Sequence, residues 1–180
     1  MKFNKKIHVE GKLISSMSPT FVIAEAGVNH GGNMFFAKKL IDLAVEAKAD
    51  AVKFQTFKAE HLILSNIQKA PYQKNTTDAN ETQFNMLKKL EVSKDQNIEL
   101  KQYCIKKDII FLTTPFDEES LKELDELDLP AYKVASTDAT NLPFLKKIAK
   151  RGKPIFLSTG MSYLSEVRLA LETIYEYNKN

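Results

Sequence analysis

One pattern recurs five times along this chain and restricts its fold more than any other feature. It is a short apolar strand, a polar or glycine-containing turn, and an amphipathic helix opened by a capping residue. Strands are expected at residues 21–26 (FVIAEA), 51–56 (AVKFQT), 109–114 (IIFLTT), 131–136 (AYKVAS) and 154–159 (PIFLST). Asn33 precedes a run whose Phe36, Leu40, Leu43, Ala44 and Ala47 share one helical face. Asn80 with Gln83, and Ser93 with Gln96, have capping-box spacing. Asp117 opens EESLKELDEL with acids in the first turn, where the helix dipole favours them. Asn141 and Pro143 open the next helix, Gly152 and Pro154 close it, and Ser162 is expected to begin the last one.

Strands alternating with helices imply parallel pairing through crossover connections, in either an open doubly wound sheet or a closed barrel. The strand interiors favour the α/β TIM-type (β/α)8 barrel. Glu25 falls on the same strand face as Ile23, and Lys53 and Gln55 alternate with apolar neighbours. A lysine in mid-strand suits a face turned to a lumen, whereas an open sheet covered on both sides is apolar throughout. Within residues 1–20, KIHVEGKLIS alternates about Glu10-Gly11 and is expected to form a β-hairpin plugging the N-terminal mouth. Residues 21–180 are expected to be the N-terminal part of the barrel domain. Such a barrel takes eight units and about 250 residues, so with about five units this one is expected to be incomplete. The long polar connection at residues 58–80 reads as a functional lid or an insert.

In a barrel the C-terminal ends of the strands converge on one rim. There the chain places Glu25, Asn29 and His30; Lys53 and Gln55; Thr113 and Thr114; Lys133, Ser136 and Asp138; and Ser158 and Thr159. Two lysines with several hydroxyls suit a phosphate or a carboxylate, the lysines supplying charge and the hydroxyls directed donors. Glu25 and Asp138 offer acid and base roles if their surroundings separate their proton affinities. Each residue also has a purely structural reading. Lys53 could be an ion-pair partner of Glu25, Thr113 and Thr114 turn residues, Ser136 and Ser158 helix caps, His30 a hydrogen-bonded loop histidine, and Asp138 a solvated turn acid.

Other functions are disfavoured. His8, His30 and His61 are scattered, so no metal site is expected within this chain. The single cysteine, Cys104, excludes an internal disulfide and reads as a buried thiol. A net charge of +3, with lysines interleaved among acids, gives no nucleic-acid footprint. Without a long apolar run or a signal peptide, no membrane contact and a cytoplasmic location are expected.

The segments FVIAEAGVNHGGN, AVKFQTFKAE, FLTTPFD, PAYKVAST and GKPIFLSTGMS, with APYQKNTTDANETQFNMLKKLEVS in the long connection, together resemble the sialic acid synthase family. The N-acetylneuraminate, legionaminate and pseudaminate synthases belong to it. The resemblance implies a TIM barrel that condenses phosphoenolpyruvate (PEP) with an N-acyl amino sugar such as N-acetylmannosamine. The product is a nine-carbon 2-keto sugar acid, with release of phosphate. It implies that Lys53, Thr114, Lys133, Ser136 and Ser158 hold PEP while Glu25 and Gln55 face the sugar. It also implies a divalent metal, Mn or Mg, whose ligands lie on later strands outside this sequence, and a C-terminal antifreeze-like domain, also absent. Asp138 stands where several members carry Glu, a shorter reach for the proton-handling role. The chain is therefore expected to be inactive alone, acting as a homodimer or completed by another chain. Competing readings are a Schiff-base aldolase with Lys53 or Lys133 as nucleophile, and a non-catalytic anion-binding partial barrel with unpaired strand edges.

Overall fold

The computed structural model describes residues 1–69 and 81–179. Two antiparallel strands, β1 (Lys6–Val9) and β2 (Lys12–Ser15), form the expected hairpin, with Val9 opposite Lys12 across the Glu10-Gly11 turn. Five β/α units follow. Strand β3 (Ile23–Gly27) leads to α1 (Met34–Glu46), and β4 (Ala51–Thr56) leads to the short α2 (Ala59–Leu62). Helices α3 (Gln83–Lys88) and α4 (Lys94–Lys106) precede β5 (Ile110–Pro115) and α5 (Glu118–Asp125). Strand β6 (Tyr132–Val134) passes through a 3-10 turn, Ser136–Asp138, into α6 (Leu142–Ala149). Strand β7 (Ile155–Leu157) and α7 (Leu164–Tyr177) complete the order.

The strands pair in parallel, β3 with β4, β4 with β5, and β6 with β7, and β5 lies alongside β6. The caps explain where the helices begin. Asn33, Asp117 and Asn141 each accept a backbone N–H of the first turn, and Ser93 with Gln96 forms the reciprocal capping box. Asn80 lies outside the described residues, and Thr82 caps α3 by accepting from the Asn85 N–H at 3.2 Å. The last helix begins at Leu164 rather than at Ser162, with the Tyr163 N–H donating to Glu166. Strands β6 and β7 are shorter than expected, and Ala135, just past β6, keeps an extended backbone with φ −69° and ψ 155°.

Alternation sorts the strand residues onto two faces. Val52, Phe54, Phe111, Tyr132 and Val134 pack against the helices in the main core, with Ile41, Leu100, Leu121 and Leu145. Ala51, Ile110, Leu112 and Ala131 point the other way and bury together with Val9 of the hairpin, beside Ile14, Ile23 and Phe156. Phe21, just before β3, stacks on Phe156 of β7 with ring centroids 5.9 Å apart, so the first and last of the five units meet over this interior. Continuing along the same face toward the C-terminal strand ends, the residues are Glu25, Lys53, Gln55, Thr114 and Lys133. An apolar floor therefore underlies a polar rim.

Among the described residues no helix is long and apolar enough to cross a membrane. Cys104 is buried, and burial pushes its thiol up to about 12.

Candidate anion-binding site at the strand ends

The rim is organised around Lys53. Its side chain is only 9% exposed, and it forms an ion pair with Glu25, its register partner on β3, whose side chain remains 53% exposed. Lys53 is thus held in a largely dry position by a carboxylate that solvent can reach. The ladder slips between Glu25 and Gly27: Glu25 pairs with Lys53 and Gly27 with Phe54, so β3 carries an extra residue there. Above Gly27 the Glu25 carboxylate and the Gln55 amide converge. A Cβ built on Gly27 would sit 3.1 Å from Glu25 Oε1 and 3.5 Å from Gln55 Nε2.

Lys133 joins from β6. Its Nζ donates to the Val134 carbonyl at 2.7 Å. Burial lowers its proton affinity below that of an ordinary lysine, the nearby Lys53 charge lowers it further, and Glu25 offsets part of the effect. Lys133 lies two residues beyond the floor residue Ala131, on the face of β6 that corresponds to the one carrying Lys53 on β4. Thr114, 2% exposed, lies across the β4–β5 ladder from Gln55. The loops after β6 and β7 approach each other, a Cβ on Gly160 falling 3.7 Å from Ser136 Oγ. Ser158 is fixed by its N–H bond to the Val134 carbonyl at 3.0 Å.

Other expected site residues lie differently. Thr113 points to the helix layer, where its hydroxyl meets that of Thr56 at 2.8 Å, and Thr56 in turn donates to Asn97 at 3.2 Å. It is a buried structural residue and not a rim donor, because adjacent strand residues face opposite sides. His30 is likewise withdrawn. It is 2% exposed, its ring lies against Phe54 of the helix-side core, and its Nδ1 accepts the Gly32 N–H at 3.0 Å. Burial lowers its proton affinity. Asn29 is exposed in the turn, its N–H bonded to the Ala26 carbonyl. Asp138 accepts from Asn141 Nδ2 at 3.4 Å beside the start of α6, and burial raises its carboxyl above the usual range.

Two features escaped the sequence reading. A glycine inside a strand pattern is the ordinary signal of a bulge, and Gly27 carried it. Asp117 does more than cap α5. It accepts from the Lys58 N–H at 2.9 Å, the Ser120 hydroxyl at 2.7 Å and His61 at 3.3 Å, tying the segment after β4 to the rim. Burial works to raise its carboxyl, and these hydrogen bonds outweigh burial and leave it below the usual range.

Among the described residues no group of three His, Cys, Asp or Glu side chains could hold a metal ion.

Comparison with known proteins sharpens this picture. The NeuB family model matches residues 40–180. The N,N'-diacetyllegionaminic acid synthase of Campylobacter jejuni is 50% identical over 88% of this chain and 47% of its own length. The enzyme of the same name from Legionella pneumophila is 43% identical over the whole chain and 50% of its own. The chain thus spans about half the length of these curated relatives. Among solved structures, N-acetylneuraminic acid synthetase from Leptospira borgpetersenii, in complex with citrate, superposes with a TM-score of 0.82 at 32% identity. That match covers 98% of this chain and 57% of the other.

Proposed function

This chain belongs to the NeuB, or sialic acid synthase, family, and we propose that it carries the PEP-binding half of a synthase making a nine-carbon 2-keto sugar acid. The observation that carries the reading is the convergence of Lys53, Lys133, Thr114, Gln55 and Glu25 on one interior face above an apolar floor. In this reading the five units belong to a TIM-type barrel whose remaining strands, metal ligands and antifreeze-like domain lie outside residues 1–180. The hairpin of residues 1–20 plugs the lower mouth, with Val9 in the floor. Homodimer formation or a second chain completes the site, and the protein works in the cytoplasm.

The chemistry assigned to this chain is binding and charge placement. PEP brings a phosphate and a carboxylate, and Lys53 and Lys133 supply the cationic charge that offsets them. Thr114, Ser136 and Ser158 supply hydroxyl donors from β5 and the loops after β6 and β7, and donors carried on a folded scaffold need little reorganisation when the ligand arrives. Glu25 and Gln55 border the place where the acceptor aldehyde meets C3 of PEP, and Asp138 handles a proton. The names of the two relatives at 50% and 43% identity favour a diacetamido sugar as acceptor.

The lowered proton affinity of Lys133 favours a second reading, a Schiff-base aldolase. Lys53, already engaged by Glu25, is a poor nucleophile in the geometry observed. Calorimetric titration of the chain with PEP decides between these readings when paired with borohydride trapping. Saturable, salt-sensitive binding lost in Lys53→Ala and Lys133→Ala supports the synthase reading. A reduced covalent adduct of a carbonyl substrate on Lys133 overturns it, and absence of PEP binding removes it.

A further inference from the structure

We infer that Gly27 is a positioning residue of this site, its missing side chain leaving the room in which the Glu25 carboxylate reaches Lys53. The inference rests on the reading above and adds a role for a residue that contacts neither proposed substrate.

Three observations converge. Glycine within a strand weakens it and marks a bulge or a close approach, and Gly27 ends β3 where the ladder slips by one residue. Its φ of 54° is in the left-handed region, which turns the backbone out of the strand path just past Glu25. The space over its Cα is already taken from two sides, by Glu25 Oε1 at 3.1 Å and Gln55 Nε2 at 3.5 Å from the Cβ position. The Glu25 contact is tighter than ordinary van der Waals packing, so an added methyl must displace that oxygen. The other Glu25 oxygen holds Lys53 Nζ, and any displacement is therefore transmitted to the ion pair. Sub-ångström shifts of this kind matter where a charged reactant is to be aligned.

A left-handed residue other than glycine also costs about 1 kcal/mol of backbone strain, so the test must separate positioning from strain. PEP dissociation constants of the 180-residue chain would be measured by calorimetry for the parent, Gly27→Ala, Glu25→Ala and the double substitution. If Gly27 acts through Glu25, Gly27→Ala tightens PEP binding threefold or more, in the same direction as Glu25→Ala, because Lys53 is freed from its counter-ion. On the Glu25→Ala background it then changes the constant by less than 1.5-fold. An equal factor in both backgrounds, or no change with Glu25 present, overturns the inference. Gly27→Asn provides the same crowding with better tolerance of positive φ, and takes the place of Gly27→Ala should that variant fail to fold. A crystal structure of either Gly27 variant reads the placement without ligand: a Glu25 carboxylate still seated against Lys53 in the parent position overturns the inference. A parent chain that binds no PEP instead overturns the synthase reading, leaving the crystallographic comparison to decide this one.

Discussion

The ammonium groups of Lys53 and Lys133, on strands flanking β5, share one interior face closely enough that the charge of the first lowers the proton affinity of the second. Burial is the larger cause, and Glu25 relieves part of it. A site built this way is short of negative charge until an anion arrives.

The pH dependence follows from that shortage. The folded chain holds the Lys133 proton less tightly than the unfolded chain, whose lysine titrates near 10.5. Between the folded value and 10.5 the unfolded state binds more protons, so this residue makes stability rise with pH in that window. A PEP trianion favours the protonated lysine, so its affinity should fall over the same alkaline window as stability rises. Calorimetry in buffers of different ionisation enthalpy should register proton uptake on binding. Lys133→Arg, which stays charged, should remove both the uptake and the alkaline loss.

Glu25 occupies Lys53 before any ligand does, and its half-exposed carboxylate repels an incoming anion. Glu25→Gln is expected to tighten PEP binding about threefold to tenfold at low ionic strength, an effect of about 1 kcal/mol that added salt should shrink. The same substitution leaves a nearly buried Lys53 ammonium without its counter-charge. Stability of the free protein should fall by about 1–2 kcal/mol, discounted for the exposure of the pair. A larger PEP-induced rise in Tm than in the parent would register both effects, and weaker PEP binding would show that Glu25 is needed to aim Lys53.

Much of this site could be read from alternation alone. Glu25, Lys53 and Gln55 break apolar runs at period two, and the floor residues Ala51, Ile110 and Leu112 continue the same face. Thr113 and Thr114 show the limit. Adjacent hydroxyls on one strand cannot both face the interior, and the period that turns Lys53 inward turns Thr114 inward and Thr113 toward the helices. His30 takes the structural alternative, a hydrogen-bonded loop histidine turned away from the rim. The bulge and the left-handed Gly27 redirect the chain after β3, and strand periodicity carries no information beyond such a slip. Alternation also does not mark where pairing stops: of residues 154–159 only Ile155–Leu157 lie in the ladder, and the polar Ser158 and Thr159 follow it.

Gly32 makes the loop after β3 intolerant of any side chain. With φ at 77°, it presses against the last turn of α3, and an added Cβ would fall 2.1 Å from the Lys89 carbonyl oxygen, a backbone atom that cannot swing aside. Gly32→Ala should cost about 3 kcal/mol or more, combining overpacking with left-handed strain. Gly31 has a similar φ of 59° but nothing within 4 Å of its Cβ position, so Gly31→Ala should cost only about 1 kcal/mol. Urea midpoints of the two variants measure the difference, and equal losses would refute the contact with α3.

The neighbouring threonines of β5 offer a paired test in which each serves as control for the other. Thr113 is fully buried in a hydroxyl chain with Thr56 and Asn97, whereas Thr114 lies on the Lys53 face opposite Gln55. Valine is nearly isosteric with threonine and fits both strand positions, so packing is conserved and the hydroxyl alone is lost. Thr113→Val should destabilise the fold by about 1–2 kcal/mol, since Thr56 loses a buried partner, and should leave PEP affinity within a factor of two. Thr114→Val should leave stability nearly unchanged and weaken PEP binding about tenfold, the scale of one hydrogen bond to a charged group. The two effects depend on which way each side chain points, so exchange of the two outcomes would reverse the face assignment of β5 and remove Thr114 from the rim.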